Sequence, residues 1–488
     1  MKYQIPLTTK ELEHFQVSKD LIEMIQKRFS YHLYLVGGAS RDLIQNFFFK
    51  KNKLIHDLDF SIFKDNGDGL SKEELIELKE FILLDRRYSI VDDTIFLHLN
   101  IIENSTKFEV EFTSFRKESY RNNRKPITVG GDITTDIQRR DFTVNAIYLN
   151  VLELNEKDII VEEAIPESKD FIEDVKLGIL RTTTENPMDV FEEDPLRILR
   201  AIRFKEYGFI LDSKMEEAMI DFPMKIFFEK VSKERIQMEL LTILERGDVN
   251  YLIHFGFIRK LIPAFSEFEF KSYRINELEH IASVIREARK LDVDDESKKI
   301  FLLAALFHDV GKGSTGTFST IKNRFQFLGH EHISAEIARE WLTEFKFSKR
   351  IINGVYHLVK EHMTTKFFNN KSLKSIVRWI LLYIDDAKFP NLINNILMFN
   401  KLDWGGKSVK WRRDNIHLIE DEERISILVK DLVIFIKMLK IEKKEVFQNI
   451  SIEIGNDKHI PVLSKRRAIN KRHSNFIVAE LKRLGIIC

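Results

Sequence analysis

His56-Asp57-Leu58-Asp59-Phe60-Ser61-Ile62 sets two carboxylates two residues apart in a short apolar run. Side chains alternate along a strand, so Asp57 and Asp59 project to one side while Leu58 and Phe60 pack on the other. Carboxylates held side by side repel unless a cation lies between them. Magnesium takes one or two carboxylates together with substrate phosphates, which is what such a pair offers. A second acidic run, Phe108-Glu109-Val110-Glu111-Phe112, supplies a third carboxylate, Glu111, if it pairs beside the first. Spacing alone leaves a plain surface strand with a wet acidic face as the other reading.

Upstream, Leu35-Val36-Gly37-Gly38-Ala39-Ser40-Arg41-Asp42 reads as a strand, a glycine turn and a helix start. Gly37 and Gly38 let the backbone approach a phosphate, and the helix start offers free N–H groups to an anion. Downstream, Arg139-Arg140-Asp141-Phe142-Thr143-Val144-Asn145-Ala146 places two cations before a helix-like run. Arginine suits triphosphate oxygens because it stays charged and donates in a fork. Glu192-Glu193-Asp194-Pro195-Leu196-Arg197 adds a polar patch at a helix start, with Asp194 as N-cap and Arg197 exposed as the simple structural alternative.

A second constellation begins where the apolar run from Ile300 to Phe307 ends in His308-Asp309-Val310-Gly311-Lys312. Adjacent His308 and Asp309 reach one cation from the end of a helix. His280 lies upstream; His330, His332, His357, His362 and Asp403 follow. Imidazoles with carboxylates suit a transition metal or magnesium.

These residues need a frame, and the composition supplies one. The chain has 488 residues, 44% hydrophobic and 31% charged, the balance of a globular protein of about three domains. Its 77 Lys and Arg nearly cancel 76 Asp and Glu, so only the distribution of charge is informative. The single cysteine, Cys488, excludes an intramolecular disulfide, an iron–sulfur cluster and a thiolate zinc site. The start lacks the apolar core of a signal peptide, and no run reaches the ~18–20 residues of a membrane span. A cytoplasmic protein with no membrane partner is expected. Short β-branched and aromatic runs at 33–36, 58–62 and 108–112 alternate with helical stretches such as 72–83 in the first 150 residues. From Asp194 to about Trp404 the apolar spacing is helical almost throughout. From Lys458 onward eight Lys and Arg face one acid, Glu480. That basic excess, centred on Lys465, Arg466, Arg467, Lys471 and Arg472, is either a solvated helix face or a contact to an RNA backbone.

In this order, Gly-Gly-x-x-Arg-Asp, Asp-x-Asp, Arg-Arg-Asp-Phe-Thr-x-Asn-Ala and Glu-Asp-Pro-Leu-Arg-Ile-Leu-Arg-Ala-x-Arg-Phe closely resemble the class II tRNA nucleotidyltransferase and bacterial poly(A) polymerase family. Val231-Ser232-Lys233-Glu234-Arg235-Ile236 resembles its next helical motif, so the likeness covers roughly residues 30 to 265. It implies that Asp57 and Asp59 are the metal-binding pair of the catalytic Mg2+ site, to which strand pairing would add Glu111 as a further catalytic carboxylate, and that Gly37 and Gly38, with Arg41, hold the triphosphate. Arg140 and Asp141 match the motif that handles the ribose and couples domain movement. Glu193, Asp194 and Arg197 match the motif that selects the base, and Asn145, Arg200 and Arg203 complete the nucleotide-binding set. Base selection has a physical logic. Cytosine and adenine each present an amino donor beside a ring-nitrogen acceptor, so Asp194 accepts from the one and Arg197 donates to the other. Guanine and uracil reverse both contacts, at about 1–3 kcal/mol for each buried group left unpaired. The His-Asp-x-Gly-Lys string resembles the HD phosphohydrolase domain, which implies a divalent metal of unspecified identity held by His280, His308, Asp309 and Asp403. His330 and His362 match further positions of two-metal HD relatives.

The resemblance implies an α+β protein. A nucleotidyltransferase head (1–150) with a mixed, mainly antiparallel sheet precedes a helical neck carrying the base-selecting motif (151–265). An HD-type helical metal domain (266–404) and a helical C-terminal region with the basic tail (405–488) follow. The implied activity is template-independent addition of C, C and A to the tRNA 3′ end from CTP and ATP, by two-metal chemistry with release of pyrophosphate. A poly(A) polymerase or a partial (CC- or A-adding) enzyme shares the same motifs, and an HD hydrolase acting on RNA ends is the alternative from another class. Two departures from the family pattern stand out. Ser40 replaces the usual valine of Gly-Gly-Ala-Val, and no Gly-x-x-Pro-Gly segment follows Gly405.

Overall fold

The computed structural model describes residues 1–55, 57–92, 96–103, 106–119, 127–269, 271–368, 371–385, 391–457 and 460–487. The chain divides into two units, Met1–Ile236 and Gln237–Cys488.

The first unit is organised by an eight-stranded sheet. In chain order the strands of this unit's first part are β1 (Lys2–Pro6), β2 (Tyr31–Val36), β3 (Leu58–Lys64), β4 (Tyr88–Asp92), β5 (Phe96–Glu103), β6 (Thr106–Ser114), β7 (Arg116–Ser119), β8 (Ile127–Gly130), β9 (Leu149–Leu154) and β10 (Asp158–Glu163). The sheet order is β1-β10-β9-β2-β3-β6-β5-β4, with β7 and β8 as a separate antiparallel pair. Only β3 and β6 run parallel among the sheet's neighbours. A parallel pair cannot be joined by a tight turn. Helix Lys72–Ile82, β4 and β5 fill the crossover between them. The sheet is therefore mixed and mainly antiparallel, and the runs expected at 33–36, 58–62 and 108–112 lie inside β2, β3 and β6.

Two boundaries differ from the sequence reading. Residue 150 falls inside β9, and the sheet continues through β10 to Glu163. These strands carry Glu153, Asp158 and Glu162 on a largely wet face, so their pattern is polar until β1 pairs with β10, Lys2 against Glu162. Contacts also separate the units at Ile236, within helix Lys233–Arg246, and not at residue 265. The helix runs across this point with no glycine or proline to mark it.

Helix Thr9–Arg28 begins at a capping box. The Thr8 side chain accepts from the Glu11 N–H, and Glu11 Oε2 accepts from the Thr8 N–H at 2.7 Å. Glu11 Oε1 also accepts the Ile55 N–H at 2.7 Å, tying this helix to the chain just before Asp57. After β10 the unit is mostly helical, and Phe142 packs edge-on against Phe204 of helix Arg197–Phe204 at 5.1 Å.

Among the described residues, the regular structure of the second unit is helical apart from a short hairpin, Thr317–Ser319 with Arg324–Gln326, which interrupts the helical stretch expected up to Trp404. Its central helix, Asp295–Phe307, has every residue from Ile300 to Phe307 buried. A helix apolar on all sides needs neighbours all round. Arg274–Arg289, His330–Glu344 and Lys349–Glu361 provide them. Among the described residues no helix is long and apolar enough to cross a membrane.

Glu11 closes a cap and fixes a buried N–H. Glu11→Ala is expected to lower the unfolding free energy by about 2 kcal/mol, with a lower urea midpoint and an unchanged m-value.

Candidate functional site

The head site follows from register. The parallel pairing of β3 and β6 sets Asp59 directly opposite Glu111. The antiparallel pairing of β2 and β3 sets Val36 opposite Asp59, so the turn after Val36 lands on that carboxylate. Gly37 has φ of +79°, and a Cβ there would stand 2.9 Å from Asp59 Oδ2. A side chain at this position is excluded by conformation and by space. The N-terminus of helix Gly38–Phe49 thereby faces the acids, with its free N–H groups at hand. Asp57 is exposed just ahead of β3. Burial, the adjacent Glu111 and Asp57 push the Asp59 carboxyl up to about 6, against the opposing pull of Arg140. Three neighbouring carboxylates beside a helix N-terminus fit a divalent cation bound with phosphates. Ser40 is buried and its hydroxyl lacks a hydrogen-bond partner among the described residues, consistent with an apolar packing position.

Behind the acids runs a polar chain. Arg41 holds Asp42 at 2.9 Å and donates to Asn145 Oδ1 at 2.9 Å. Asn145 donates to Asp141 at 3.0 Å, and Asp141 accepts from Arg200 at 2.7 Å. Burial would push the Asp141 carboxyl up, but Arg200, Asn145 and Arg197 hold it down to about 2. The glycine-turn helix, the Arg-Arg-Asp string and helix Arg197–Phe204 are thus linked through Arg41, Asn145, Asp141 and Arg200. Arg140 reaches Ser61 of β3 at 3.2 Å, Asp136 at 3.0 Å and the Tyr148 hydroxyl at 2.9 Å. Asp136 and Tyr148 were not singled out in the sequence. Asp136 is fully buried yet pairs with both Arg139 and Arg140, a convergence that no spacing rule announces.

The Glu193-Asp194-Pro195-Leu196-Arg197 segment is placed differently from the simple capping picture. Asp194 ends helix Pro187–Glu193 and accepts the Leu196 N–H at 3.2 Å, so it does cap the following turn. Arg197 is buried, not exposed. It binds Glu193 at 2.6 Å, the Val190 carbonyl at 3.0 Å and the Arg139 carbonyl. The guanidinium facing Asp194 is that of Arg235, at 2.6 and 3.2 Å, from the motif Val231–Ile236. Arg203 lies on the same helix as Arg197 and Arg200.

In the second unit the expected metal residues converge. His280 Nε2 lies 2.7 Å from Asp403 Oδ1 and 3.6 Å from Asp309 Oδ2, with His308 Nε2 3.2 Å from the same Asp309 oxygen. Asp309 Oδ1 faces His330 Nε2 at 3.1 Å and His362 Nε2 at 3.6 Å. All six residues are buried. Each imidazole has its Nδ1 against a backbone carbonyl: Gly406 for His280, Ala305 for His308, Phe327 for His330 and Val359 for His362. A carbonyl only accepts, so Nδ1 carries the proton and the Nε2 lone pairs point inward. Nε2 approaches Nε2 at 3.4 Å between His280 and His308 and at 3.2 Å between His330 and His362. Burial lowers the His362 pKa to about 4 despite Asp309, and His280 is also lowered, first by burial and then by Lys407. Imidazoles with converging Nε2 atoms around a shared carboxylate fit divalent metal binding. Two such groups form, His280–His308–Asp309 and Asp309–His330–His362. Gly311 permits this, since a Cβ there would stand 2.7 Å from the His330 carbonyl oxygen. His357 stays outside and packs against Tyr383. Lys312, Lys366 and Lys407, which also enter the cluster, gave no metal-ligand signal in the sequence.

The basic tail forms helix Val462–Arg483. Arg466 donates to the Leu382 carbonyl at 3.3 Å, Arg472 pairs with Glu453 at 2.7 Å, and Lys465 reaches the Gly455 carbonyl. Arg467 and Lys471 are exposed.

The raised Asp59 pKa fixes a sign. Folding raises this carboxyl from 3.8 to about 6, so protonation favours the fold between those values and the charged form carries a penalty above them. A bound cation relieves that penalty only when Asp59 is ionised. Mn2+ is expected to raise the melting temperature of the first unit more at pH 7.5 than at pH 5. Asp59→Asn is expected to abolish the difference, read by differential scanning calorimetry.

The profile of the Poly A polymerase head domain matches residues 33–165, and that of the HD domain matches residues 278–392. The chain is similar to a CCA-adding enzyme of Staphylococcus saprophyticus, 26% identical over 322 residues, which are 62% of this chain and 71% of that one. It is similar to a tRNA nucleotidyltransferase of Schizosaccharomyces pombe, 31% identical over 211 residues, spanning 41% of this chain and 42% of the relative. A solved Thermotoga maritima CCA-adding enzyme complexed with tRNA shares the fold, with a TM-score of 0.55 at 16% identity over 99% of this chain and 100% of that chain. By these matches residues 33–165 carry a Poly A polymerase head domain and residues 278–392 an HD domain, in a chain similar to CCA-adding enzymes.

Proposed function

We propose that the chain adds C, C and A in turn to the 3′ end of tRNA, using CTP and ATP in the cytoplasm and releasing pyrophosphate. The observation that carries this reading is the register that sets Asp59 against Glu111 and under the Gly37 turn. The names of the similar enzymes supply the substrate class.

Asp57, Asp59 and Glu111 would hold Mg2+, which when bound supplies positive charge at the primer oxygen and at the departing pyrophosphate. The N–H groups at the start of helix Gly38–Phe49 orient the triphosphate for attack. Arg41 and Arg140, fixed by Asn145 and Asp136, add charge near it. The primer 3′-oxygen bonds to the α-phosphorus, the bond from that phosphorus to the bridging oxygen breaks, and the hydroxyl proton passes to water. Asp141 stays ionised and clamps Arg200, keeping the ribose-handling segment on helix Arg197–Phe204.

Asp194 accepts from the amino group of cytosine or adenine and Arg197 donates to the ring nitrogen, while Arg235 and Glu193 hold this pair before a nucleotide enters. Arg203 supports the same helix. Exposed Arg467 and Lys471, with Lys465, Arg466 and Arg472 beside them, contact tRNA phosphates. A second activity is favoured by the buried His and Asp cluster: hydrolysis of phosphate esters at RNA ends in the HD domain.

A primer-extension assay on tRNA ending at the discriminator base tests the main reading. CTP and ATP together are expected to give three added nucleotides, and Asp57→Ala/Asp59→Ala none. Long tails from ATP alone would indicate a poly(A) polymerase, and incomplete ends a partial adder. Without incorporation, ring opening of a 2′,3′-cyclic phosphate end to a monoester, or release of phosphate from a 2′-phosphate end, would leave the hydrolase as the main activity.

Base selection has its own check. Asp194→Asn presents an amide that accepts from the cytosine amino group or, turned over, donates to the uracil carbonyl. It is expected to reduce discrimination of CTP over UTP, measured as a ratio of kcat/KM, by about tenfold to a hundredfold, the equivalent of about 1–3 kcal/mol.

A further inference from the structure

The two histidine pairs of the HD cluster share Asp309, but their surroundings differ in charge. Around His280 and His308 stand three ammonium groups. Lys407 Nζ donates to His280 Nε2 at 2.9 Å and lies 3.7 Å from Asp403 Oδ1. Lys366 Nζ binds Asp403 Oδ2 at 2.5 Å. Lys312 Nζ binds Asp309 Oδ2 at 2.7 Å and Glu277 at 2.6 Å. Among the described residues, no lysine or arginine forms an ion pair or hydrogen bond with His330, His362 or Asp309 Oδ1.

The consequence is electrostatic and geometric together. The Lys407 ammonium stands where a metal would meet His280 Nε2 and Asp403 Oδ1, 2.9 Å from the one and 3.7 Å from the other, these two atoms being 2.7 Å apart, and Lys366 takes the other Asp403 oxygen. A divalent ion placed there would sit among three like charges in a buried pocket, where screening is weak. Asp309 Oδ1, His330 and His362 carry no such competitor, and their nitrogen lone pairs, 3.2 Å apart, have only each other and a carboxylate to face. Lys407 also lies four residues after Asp403 on the same stretch of chain, so the acid and its ammonium arrive together.

We infer that the HD centre is mononuclear: one divalent cation binds at Asp309, His330 and His362, while the Lys407 ammonium takes the second position, between His280 and Asp403. This rests on the reading of the cluster as a metal centre. It makes Lys407 a positioning residue that keeps His280 and Asp403 in place without a metal, and it assigns the two halves of the cluster different roles toward a phosphate: a Lewis acid on one side, ammonium donors on the other.

Cobalt(II) alone is the probe, added to the full chain carrying Asp57→Asn and Asp59→Asn so that the head acids do not contribute. Bound cobalt is counted by mass spectrometry after gel filtration, and its visible d–d bands report nitrogen ligands. About one equivalent is expected. His330→Ala should lose it and His280→Ala should keep it, whereas Lys407→Met should admit a second equivalent. Two equivalents in the chain with Lys407 intact, or loss with His280→Ala and retention with His330→Ala, would overturn the proposal. A Lys407→Met chain that folds by circular dichroism and still binds one equivalent would overturn the role of the ammonium. If that variant does not fold, the His280 and His330 pair decides the matter alone. No bound cobalt at all would overturn the metal reading itself, a result distinct from the others.

Discussion

One strand pairing governs the head. Parallel alignment of β3 with β6 brings Asp59 and Glu111 face to face, an arrangement that is unfavourable by itself. The unit holds it by covering β3 on both faces and by flanking it with β2, whose glycine turn closes over Asp59. Shifting β6 by one residue would turn Glu111 to the other face of the sheet and end the acid cluster. The crossover helix, the Glu11 clamp on Ile55 and the Arg140 contact to Ser61 all bear on keeping this register.

The second unit faces a related problem with different means. Its carboxylates, Asp309 and Asp403, are buried, yet lysines and imidazoles around them hold both well below the usual carboxylate range against the effect of burial. In the head, burial first and then the neighbouring Glu111 and Asp57 raise Asp59, and Arg140 offsets them only in part. The chain therefore carries two acid clusters in opposite electrostatic states. One has room for a cation from outside; the other is largely neutralised by its own lysines, with His330 and His362 facing Asp309 at its edge. Imidazole orientation in the second cluster comes from four backbone carbonyls at the ends of helices or turns, which fix the proton on Nδ1 without any further side chain.

Arginine use in the head separates charge from access. Arg140, Arg197 and Arg200 all bind acids within the fold, so each has a defined direction before substrate enters. Such fixed dipoles and charges act without reorganising at the moment of reaction. The exposed member is Arg235 on Asp194, the contact a base edge would have to enter.

Much of this was legible as residue order. Asp57 and Asp59 in an alternating run, the paired glycines before a helix, and His-Asp-x-Gly-Lys after an apolar helix each state their local geometry, because strand and helix periodicities fix which side chains share a face. The mixed sheet and the helical second half were legible for the same reason. What the chain order does not contain is which segments meet. That Glu111 lies beside Asp59 depends on β3 and β6 pairing across an intervening helix and two strands. That β9 and β10 belong to the head depends on their partner β1, more than a hundred residues away. That Arg197 is buried depends on Glu193 and two carbonyls, which take up its guanidinium and which its place after a capping residue does not announce. Lys366 and Lys407 stand in no motif; they matter only because folding carries them to Asp403. Local periodicity is written in sequence, whereas long-range charge neighbours are set by packing, and in this chain those neighbours decide the state of both acid clusters.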